Sequence, residues 1–549
     1  MTQHYNKNEL LFTPLGGCGE IGMNLNLYGY QGKWLMVDLG ITFDQDLGLD
    51  IIMPDPGFIE ENKSDLVGLV LTHAHEDHIG AVPYLWQKLR CPIYATPFTA
   101  FLVKEKLREA DLLEQATIHT IPLKGAFQLG PFDLSYVSLT HSIPEPNALI
   151  IKTPAGVVVH SGDWKLDHDP LIGEKTDENT LKELGEQGVL ALVCDSTNVF
   201  EKGHTGSEAD VRKNLIKLVS KQKGRVVISC FASNVARLSS ALEAARETGR
   251  RVAFIGRSLH RMYEAARSCG YLDKVDFLEE SEIKQVPPEE LLLICTGSQG
   301  EPRAGLSRIA NRQHPRAQLE EGDTVFFSSR KIPGNEHQIK AVQEALIHHG
   351  INVITDKEAP IHVSGHPSKG DLKEMYSWVK PKILVPVHGE VAHMREQAQF
   401  GKKCGIEQAI VPANGQVIAL NPENPGVVDE VHWGRLALDG NQLVPRRSDM
   451  LRDRFKLSQA GVIFVTLTLR KGRLKGEPLI STMGVGEPDF VECSLDSIKD
   501  SIIDMIAQAD EAHLNFEDGL KEMVRVTVRR ALNALKGKKP LVVTHLVFL

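Results

Sequence analysis

The chain has 549 residues, of which 42% are hydrophobic and 24% charged, with a formal net charge of −9. That length exceeds a single core and predicts roughly three soluble globular domains. The acidic balance excludes a molecule that is basic all over, so a polyanionic ligand would need a local basic path. No apolar run is long enough to span a bilayer, and the N-terminus carries no signal-peptide pattern. The eight cysteines are scattered without a Cys-x-x-Cys pair. The expected setting is therefore a reducing cytoplasm, with no membrane partner.

In chain order, strands are expected at residues 11–15, 23–30 and 33–37, separated by Gly16-Gly17 and Gln31-Gly32. Asp38 closes the third strand, where it serves either as a turn former or to orient a metal-bound histidine. The segment Thr72-His73-Ala74-His75-Glu76-Asp77-His78 lies between an expected buried strand at 66–71 and an expected helix at 79–89. Residues two apart on an extended turn point the same way, so His73 and His75 can hold one cation. Asp77 and His78 face elsewhere and can serve a neighbouring one. Imidazole with carboxylate suits zinc or manganese. A strand at 92–95, a helix at 99–113 and strands at 132–139, 148–152 and 157–160 follow. Further ligand types close strands: His141, Asp163 and, after a strand at 189–193, Asp195. A lone strand-end His or Asp is commonly a surface or cap residue. Four strand ends carrying such chemistry in one region point to a metal centre.

The middle third changes rhythm. A helix at 208–219 precedes apolar runs at 225–230, 251–255 and 291–295, separated by helical patterns, which predicts a parallel sheet with crossover helices. No Gly-x-Gly-x-x-Gly follows a strand, so dinucleotide binding is not supported. The loops Ser233-Asn234 and Thr296 to Pro302 offer N–H groups and hydroxyls to a phosphate, although the same residues are ordinary turn formers. His362-Val-Ser-Gly-His366 follows, and His388 ends the apolar strand Ile383-Leu-Val-Pro-Val387. A polar, basic stretch after residue 445 reads as a linker. A strand at 461–469, helices at 495–509 and 515–536 and a strand at 540–548 make a small α+β domain. Its Arg525, Arg529 and Arg530 read as a solvated helix face rather than an RNA contact.

These residues match known patterns. His73-Ala-His75-Glu-Asp77-His78, followed by His141, Asp163 and Asp195, resembles the metallo-β-lactamase fold. The domain inserted between Asp195 and the last histidine resembles the β-CASP nucleases, with Asp195, His366 and His388 at the three signature positions. Cys295-Thr-Gly-Ser-Gln-Gly-Glu-Pro302, Ile332-Pro-Gly-Asn-Glu336, His362-Val-Ser-Gly-His366, Val387-His-Gly-Glu390 and the opening Leu15-Gly-Gly-Cys-Gly-Glu-Ile-Gly-Met-Asn24 are similar to the bacterial ribonuclease J family, across essentially the whole chain. Ala74 stands where that family usually has Gly, and Pro367-Ser-Lys follows His366 where Gly or Ala is common; neither departure removes a ligand.

The resemblance implies an α/β chain: a metallo-β-lactamase αββα sandwich at 1–207 and 376–445, an inserted β-CASP parallel α/β domain at 208–375, a linker at 446–460, and a C-terminal α+β domain at 461–549. The last implies oligomerisation, as a homodimer or homotetramer. Two divalent metal ions per subunit are implied, zinc first, with manganese or magnesium as alternatives. His73, His75 and His141 would hold one, Asp77, His78 and His388 the other, and Asp163 would bridge them. Asp195 would orient the attacking water or move a proton, and His366 would polarise the scissile phosphate or donate to the leaving oxygen. Ser233, Asn234, His362, Val363, Ser364, Gly365 and His366 would line a pocket for the 5′-monophosphate of single-stranded RNA. The implied activity is a 5′→3′ exoribonuclease with an endonuclease mode, in mRNA decay and rRNA maturation. His388 implies RNA rather than DNA, since DNA-processing relatives tend to carry Val there. A lactonase-like hydrolase is the first alternative, but a small substrate needs no clamp domain. A catalytically dead RNA-binding subunit is the second, but such subunits usually lose ligands, and all seven are present.

Overall fold

Alternating apolar residues lay two mixed sheets against each other in the first part of the chain. The computed structural model describes residues 8–43, 49, 51–332, 334–470, 473–510, 514 and 516–549. It divides into two compact units, Met1–Thr42 with Met53–Gly434, and Phe43–Ile52 with Arg435–Leu549.

In the first unit one sheet has eight strands, and at its centre Leu11–Gly16, Leu25–Tyr30, Lys33–Val37 and Leu66–Val70 are neighbours. The other has seven, running from Ala126–Leu129 through Phe132–Ser138, Asn147–Thr153, Gly156–His160 and Val189–Asp195 to Pro381–Val387 and Gln408–Ala409. Phe12, Tyr28, Leu35 and Val70 of the first sheet share one buried cluster with Leu134, Tyr136, Leu149, Val193 and Val385 of the second. The second sheet's other face packs on the helices Glu178–Gln187 and Lys369–Val379 through Leu181, Leu184, Leu372 and Met375.

The inserted domain is a five-stranded parallel sheet in the order Arg251–Ile255, Leu291–Cys295, Val226–Ser229, Thr324–Phe327, Asn352–Ile354. Successive strand residues point to opposite faces. Val226 and Ile228 accordingly join a cluster with the helices Glu208–Val219 and Val235–Glu247, while Val227 and Val325 join a second cluster on the other side.

Register positions the site. Gly156–His160, Val189–Asp195 and Pro381–Val387 are parallel neighbours, with His160 opposite Val193 and Asp195 opposite Val387. Their C-terminal ends therefore deliver Asp163, Asp195 and His388 to one edge of the sandwich. In the facing sheet Val37 pairs with Val70, so Asp38 and the loop bearing His73 leave adjacent strands.

The second unit is built on the strand Val462–Arg470, paired in parallel with Leu541–Phe548 and antiparallel with Leu479–Met483. The helices Pro488–Gln508 and Glu517–Lys536 bury Ile498, Ile502, Val524 and Val528 against Ile463, Val465 and Leu467. Three expectations are corrected. The stretch expected as a linker at 446–460 contains the helix Asp449–Ala460, whose first turn is capped by Ser448 Oγ accepting from Leu451 N at 3.4 Å and whose Leu451 is buried. The hairpin Arg435–Asp439 with Gln442–Pro445, expected in the sandwich, groups with the second unit, where Arg454 grips Asp439 through both terminal guanidinium nitrogens. Phe43–Ile52 also groups there rather than with the sandwich. In addition, the helix expected at 79–89 is two pieces, Glu76–Ile79 and Val82–Leu89.

Candidate metal centre

His73, His78, His141 and His388 are each held through Nδ1, which leaves Nε2 for the centre. His73 Nδ1 lies 3.0 Å from Thr72 Oγ1. His78 Nδ1 lies 2.7 Å from Asp38 Oδ2. Asp38 is fully buried and also accepts from Thr72 N at 2.8 Å and Thr72 Oγ1 at 2.9 Å, so this carboxylate fixes both the loop and one imidazole. His141 Nδ1 lies 2.5 Å from the Gly365 carbonyl. His388 Nδ1 lies 3.0 Å from Asn24 Oδ1, while Asn24 Nδ2 donates to the Asp77 carbonyl at 3.0 Å.

The remaining nitrogens converge. His75 Nδ1 sits 3.2 Å from His73 Nε2 and 3.0 Å from His141 Nε2. His78 Nε2 is 3.3 Å from Asp163 Oδ1 and 3.6 Å from Asp77 Oδ2. His388 Nε2 is 3.4 Å from Asp77 Oδ2 and 3.5 Å from Asp163 Oδ2. The ligand atoms fall into two main groups sharing one carboxylate: His73, His75, His141 and Asp163, then Asp77, His78, Asp163 and His388. Within each group they lie within 4.8 Å of one another. Asp163 with Asp195 and His366 forms a third.

The donor set fits divalent cations. Burial pushes the pKa values of His73 and His141 well down and that of His75 to about 4, which keeps all three imidazoles in the neutral form that ligates metal. Burial works against charge on Asp163, but His388 and His78 outweigh it and hold the carboxyl well below its usual range. Burial likewise opposes charge on His78, yet Asp163, Asp77 and Asp38 raise its pKa well above normal. The carboxylates thus hold a proton where a cation can replace it. Asp163 Oδ1 is buried, and its 3.3 Å contact with His78 Nε2 lacks hydrogen-bond geometry, so a cation would satisfy it.

Asp195 and His366 adjoin this centre. Asp195 is fully buried; its Oδ1 accepts from Thr197 N at 2.8 Å, and its Oδ2 lies 2.8 Å from His366 Nδ1. Burial opposes charge on His366, but Asp195, Asp163 and Asp77 outweigh it and raise its pKa to about 9. The residues expected around a terminal phosphate divide. Asn234 Oδ1 accepts from Arg237 N at 2.8 Å and so caps its helix, the ordinary role. Ser364 Oγ accepts from His366 N at 3.1 Å. His362 is different: both ring nitrogens are buried without a partner. Burial, then Arg237, Arg330 and Lys165, push its pKa well down. Val363 packs where a side chain at Gly206 would stand, and a Cβ on Gly365 would come 2.6 Å from His141 Cε1. Asn24 carries a role that the residue pattern alone did not assign, because an asparagine in a glycine-rich opening is ordinary loop chemistry.

An αββα sandwich with this histidine and carboxylate edge defines a metallo-β-lactamase-fold hydrolase, and residues 24–229 match the metallo-beta-lactamase superfamily model. Residues 223–346 match the ribonuclease J beta-CASP domain, 350–412 the Zn-dependent metallo-hydrolase RNA specificity domain, and 449–547 the ribonuclease J C-terminal domain. Ribonuclease J of Sinorhizobium meliloti is 42% identical over 97% of this chain and 96% of that protein. Ribonuclease J 1 of Streptococcus pyogenes serotype M3 is 38% identical over 84% of this chain and 83% of that protein. The chain belongs to the ribonuclease J family, a family of metal-dependent ribonucleases. The crystal structure of a protein of unknown function from Enterococcus faecalis V583 is similar in fold, with a TM-score of 0.51 at 17% identity, covering 76% of this chain and 100% of that one. The C-terminal match begins at residue 449, within the stretch read from sequence as a linker.

Proposed function

We propose that this chain hydrolyses single-stranded RNA 5′→3′ from a 5′-monophosphate end, with an endonuclease mode, in cytoplasmic mRNA decay and rRNA maturation. The observation that carries the catalytic part is the pair of ligand groups sharing Asp163. His73, His75 and His141 would hold one cation and Asp77, His78 and His388 a second, with Asp163 offered to both. Zinc is the first choice, in keeping with the Zn-dependent RNA specificity domain that residues 350–412 match, with manganese or magnesium as alternatives. Bound divalent cations supply Lewis acidity and lower the pKa of water toward roughly 7. The protein's own residues orient and exclude. Asp38 and Asn24 keep His78 and His388 presenting Nε2. Asp195 fixes His366 through Nδ1 and keeps it charged, so that Nε2 faces the phosphodiester as a hydrogen-bond donor, either to a phosphoryl oxygen or to the leaving oxygen. Contributions of this kind are worth about 10²–10⁴-fold.

The 5′-phosphate reading is supported by the unpartnered His362 beside Ser364, within the influence of Arg237, Arg330 and Lys165. His362 and Ser364 are hydrogen-bonding groups suited to one terminal phosphate, with Ser233, Asn234, Val363 and Gly365 shaping the pocket. No helix among the described residues is long and apolar enough to cross a membrane. We assign the sandwich, the inserted domain at 208–375 and the C-terminal domain to catalysis, RNA clamping and assembly as a homodimer or homotetramer. The test is digestion of one RNA bearing 5′-triphosphate, 5′-monophosphate or 5′-hydroxyl, with products mapped from both ends. Fast mononucleotide release from the monophosphate alone is expected. Equal rates on all three ends would remove the 5′-end reading and leave a general ribonuclease.

A further inference from the structure

Large apolar side chains are exposed beside the metal centre, on the two segments that carry its last groups. Five residues after Asp195, Phe200 is 53% exposed and sits edge-on to His393 at 5.0 Å between ring centroids. His393 lies five residues after His388, in the helix Val391–Lys403, and its Nδ1 is buried without a hydrogen-bond partner. Val391 opens that helix and is 48% exposed. It stands 3.5 Å from the Cβ position of Gly19, in the strand Cys18–Gly19 that pairs with Gly389–Glu390.

This patch is rigidly tied to the centre. Thr197 Oγ1 donates to the His388 carbonyl at 2.8 Å, and Ser196 Oγ donates to the Val387 carbonyl at 2.7 Å, joining the Phe200 turn to the His388 strand end. A side chain at Gly389 would strike Ser196 Oγ at 2.3 Å and His393 Cβ at 2.9 Å, so the two segments touch there. On the other flank, Arg330 reaches from the inserted domain to Asn198 Oδ1 at 2.6 Å and Glu201 Oε1 at 2.8 Å, which neutralises the carboxylate next to Phe200. Exposed aromatic and branched surface, fixed against a phosphodiester-cleaving centre, is what unstacked bases of a single strand bind, because every base has a π-face.

We propose that Phe200, with His393 and Val391, forms a stacking platform for an unpaired base flanking the scissile phosphate. Its occupant is the RNA substrate, since the Phe200 turn is hydrogen-bonded to the His388 strand end of the site that cleaves it, and the inference rests on the metal-centre reading above. Stacking holds the strand in register and tolerates any base, while a base-paired strand cannot offer its face. The platform thereby favours single-stranded RNA at the cleavage point.

The test uses the full chain in a His75→Ala background, so that RNA stays intact, and a set of 5′-monophosphorylated oligonucleotides with one abasic site walked along the strand. Dissociation constants are read by fluorescence anisotropy. One abasic position should weaken binding to the Phe200-containing protein about ten-fold. The same position should cost Phe200→Ala less than two-fold, with Phe200→Trp restoring the sensitivity. Identical abasic profiles with and without Phe200 would overturn the platform. So would a change in oligomer mass caused by Phe200→Ala, which would make the patch a protein interface. Cleavage by His75→Ala itself would count against the metal-centre reading, separately from the platform.

Discussion

At Gly365 the backbone and a ligand meet. Its carbonyl lies 2.5 Å from His141 Nδ1, and a Cβ would stand 2.6 Å from His141 Cε1. Gly365→Ala should displace that imidazole and lower kcat by about 10²-fold, because displacements near 1 Å are that costly in a site of this kind. Metal content and kcat measured together check this, and a variant with full metal and normal kcat would contradict it. Ser364→Ala should instead narrow the rate difference between monophosphate and triphosphate ends, read by parallel kinetics. The metal-free chain offers a pH signature. His366 is raised from 6.5 to about 9 by Asp195, against the effect of burial. A raised pKa contributes stability that is present below the unfolded value and lost as pH rises through the folded one. The melting temperature of chelated protein should fall between about pH 6.5 and 9, and His366→Ala should flatten that slope. The convergence of these seven His and Asp side chains was legible because such residues at strand ends in one region have few other uses. Asn24 was not, since its role depends on His388, which is 364 positions distant. Asn234 shows the reverse: its side chain is engaged as a helix cap, and nothing in a Ser-Asn pair distinguishes a cap from a phosphate ligand.

Elements deliver the chemistry through register. Three parallel strand ends place Asp163, Asp195 and His388 together, and the apolar runs that form those strands were readable from their length and flanking turns. The segments crossing to and from the inserted domain are stapled. Thr205 Oγ1 donates to the His366 carbonyl at 3.0 Å, and buried Asp371 accepts from Thr205 N at 3.0 Å and Ser368 N at 2.9 Å. Inside the inserted domain, fully buried Arg237 meets Glu208 at 3.0 Å and donates to the Ser328 and Ile361 carbonyls at 2.7 and 3.0 Å. Removing one partner of such a pair strands a buried charge, at about 3–5 kcal/mol. Arg237→Met should therefore lower thermal stability sharply, while Arg237→Met with Glu208→Leu recovers much of the loss. Calorimetry decides, and a single variant as stable as the parent would refute the role. The helix Asp449–Ala460 was hidden by composition. Pro445-Arg-Arg-Ser448 reads as polar linker, yet Ser448 is an N-cap and Leu451 an anchor that pattern counting underweights.

For the molecule as a whole, a net charge of −9 means that RNA must be drawn to a local set of cations rather than to the bulk surface. The choice of RNA over DNA belongs at this scale too. His388 occupies the left-handed region at φ 53°, a conformation that histidine adopts more readily than a β-branched residue. Valine there would lose a ligand and strain the backbone. Matched single-stranded oligonucleotides should be cleaved far faster as RNA than as DNA; comparable rates would reduce the assignment to a general 5′ nuclease. The division into sandwich, inserted domain and C-terminal domain followed from changes in hydrophobic rhythm, whereas the grouping of Phe43–Ile52 with the C-terminal unit rests on contacts remote in sequence. The most direct test of the central claim is metal stoichiometry on the purified full chain by elemental analysis. Two divalent ions per chain are expected, falling to about one in His75→Ala and in His388→Ala and below one in Asp163→Ala, with RNA hydrolysis abolished in all three while the fold persists. A wild-type chain that hydrolyses RNA with less than one ion bound, or the same stoichiometry in every variant, would contradict it.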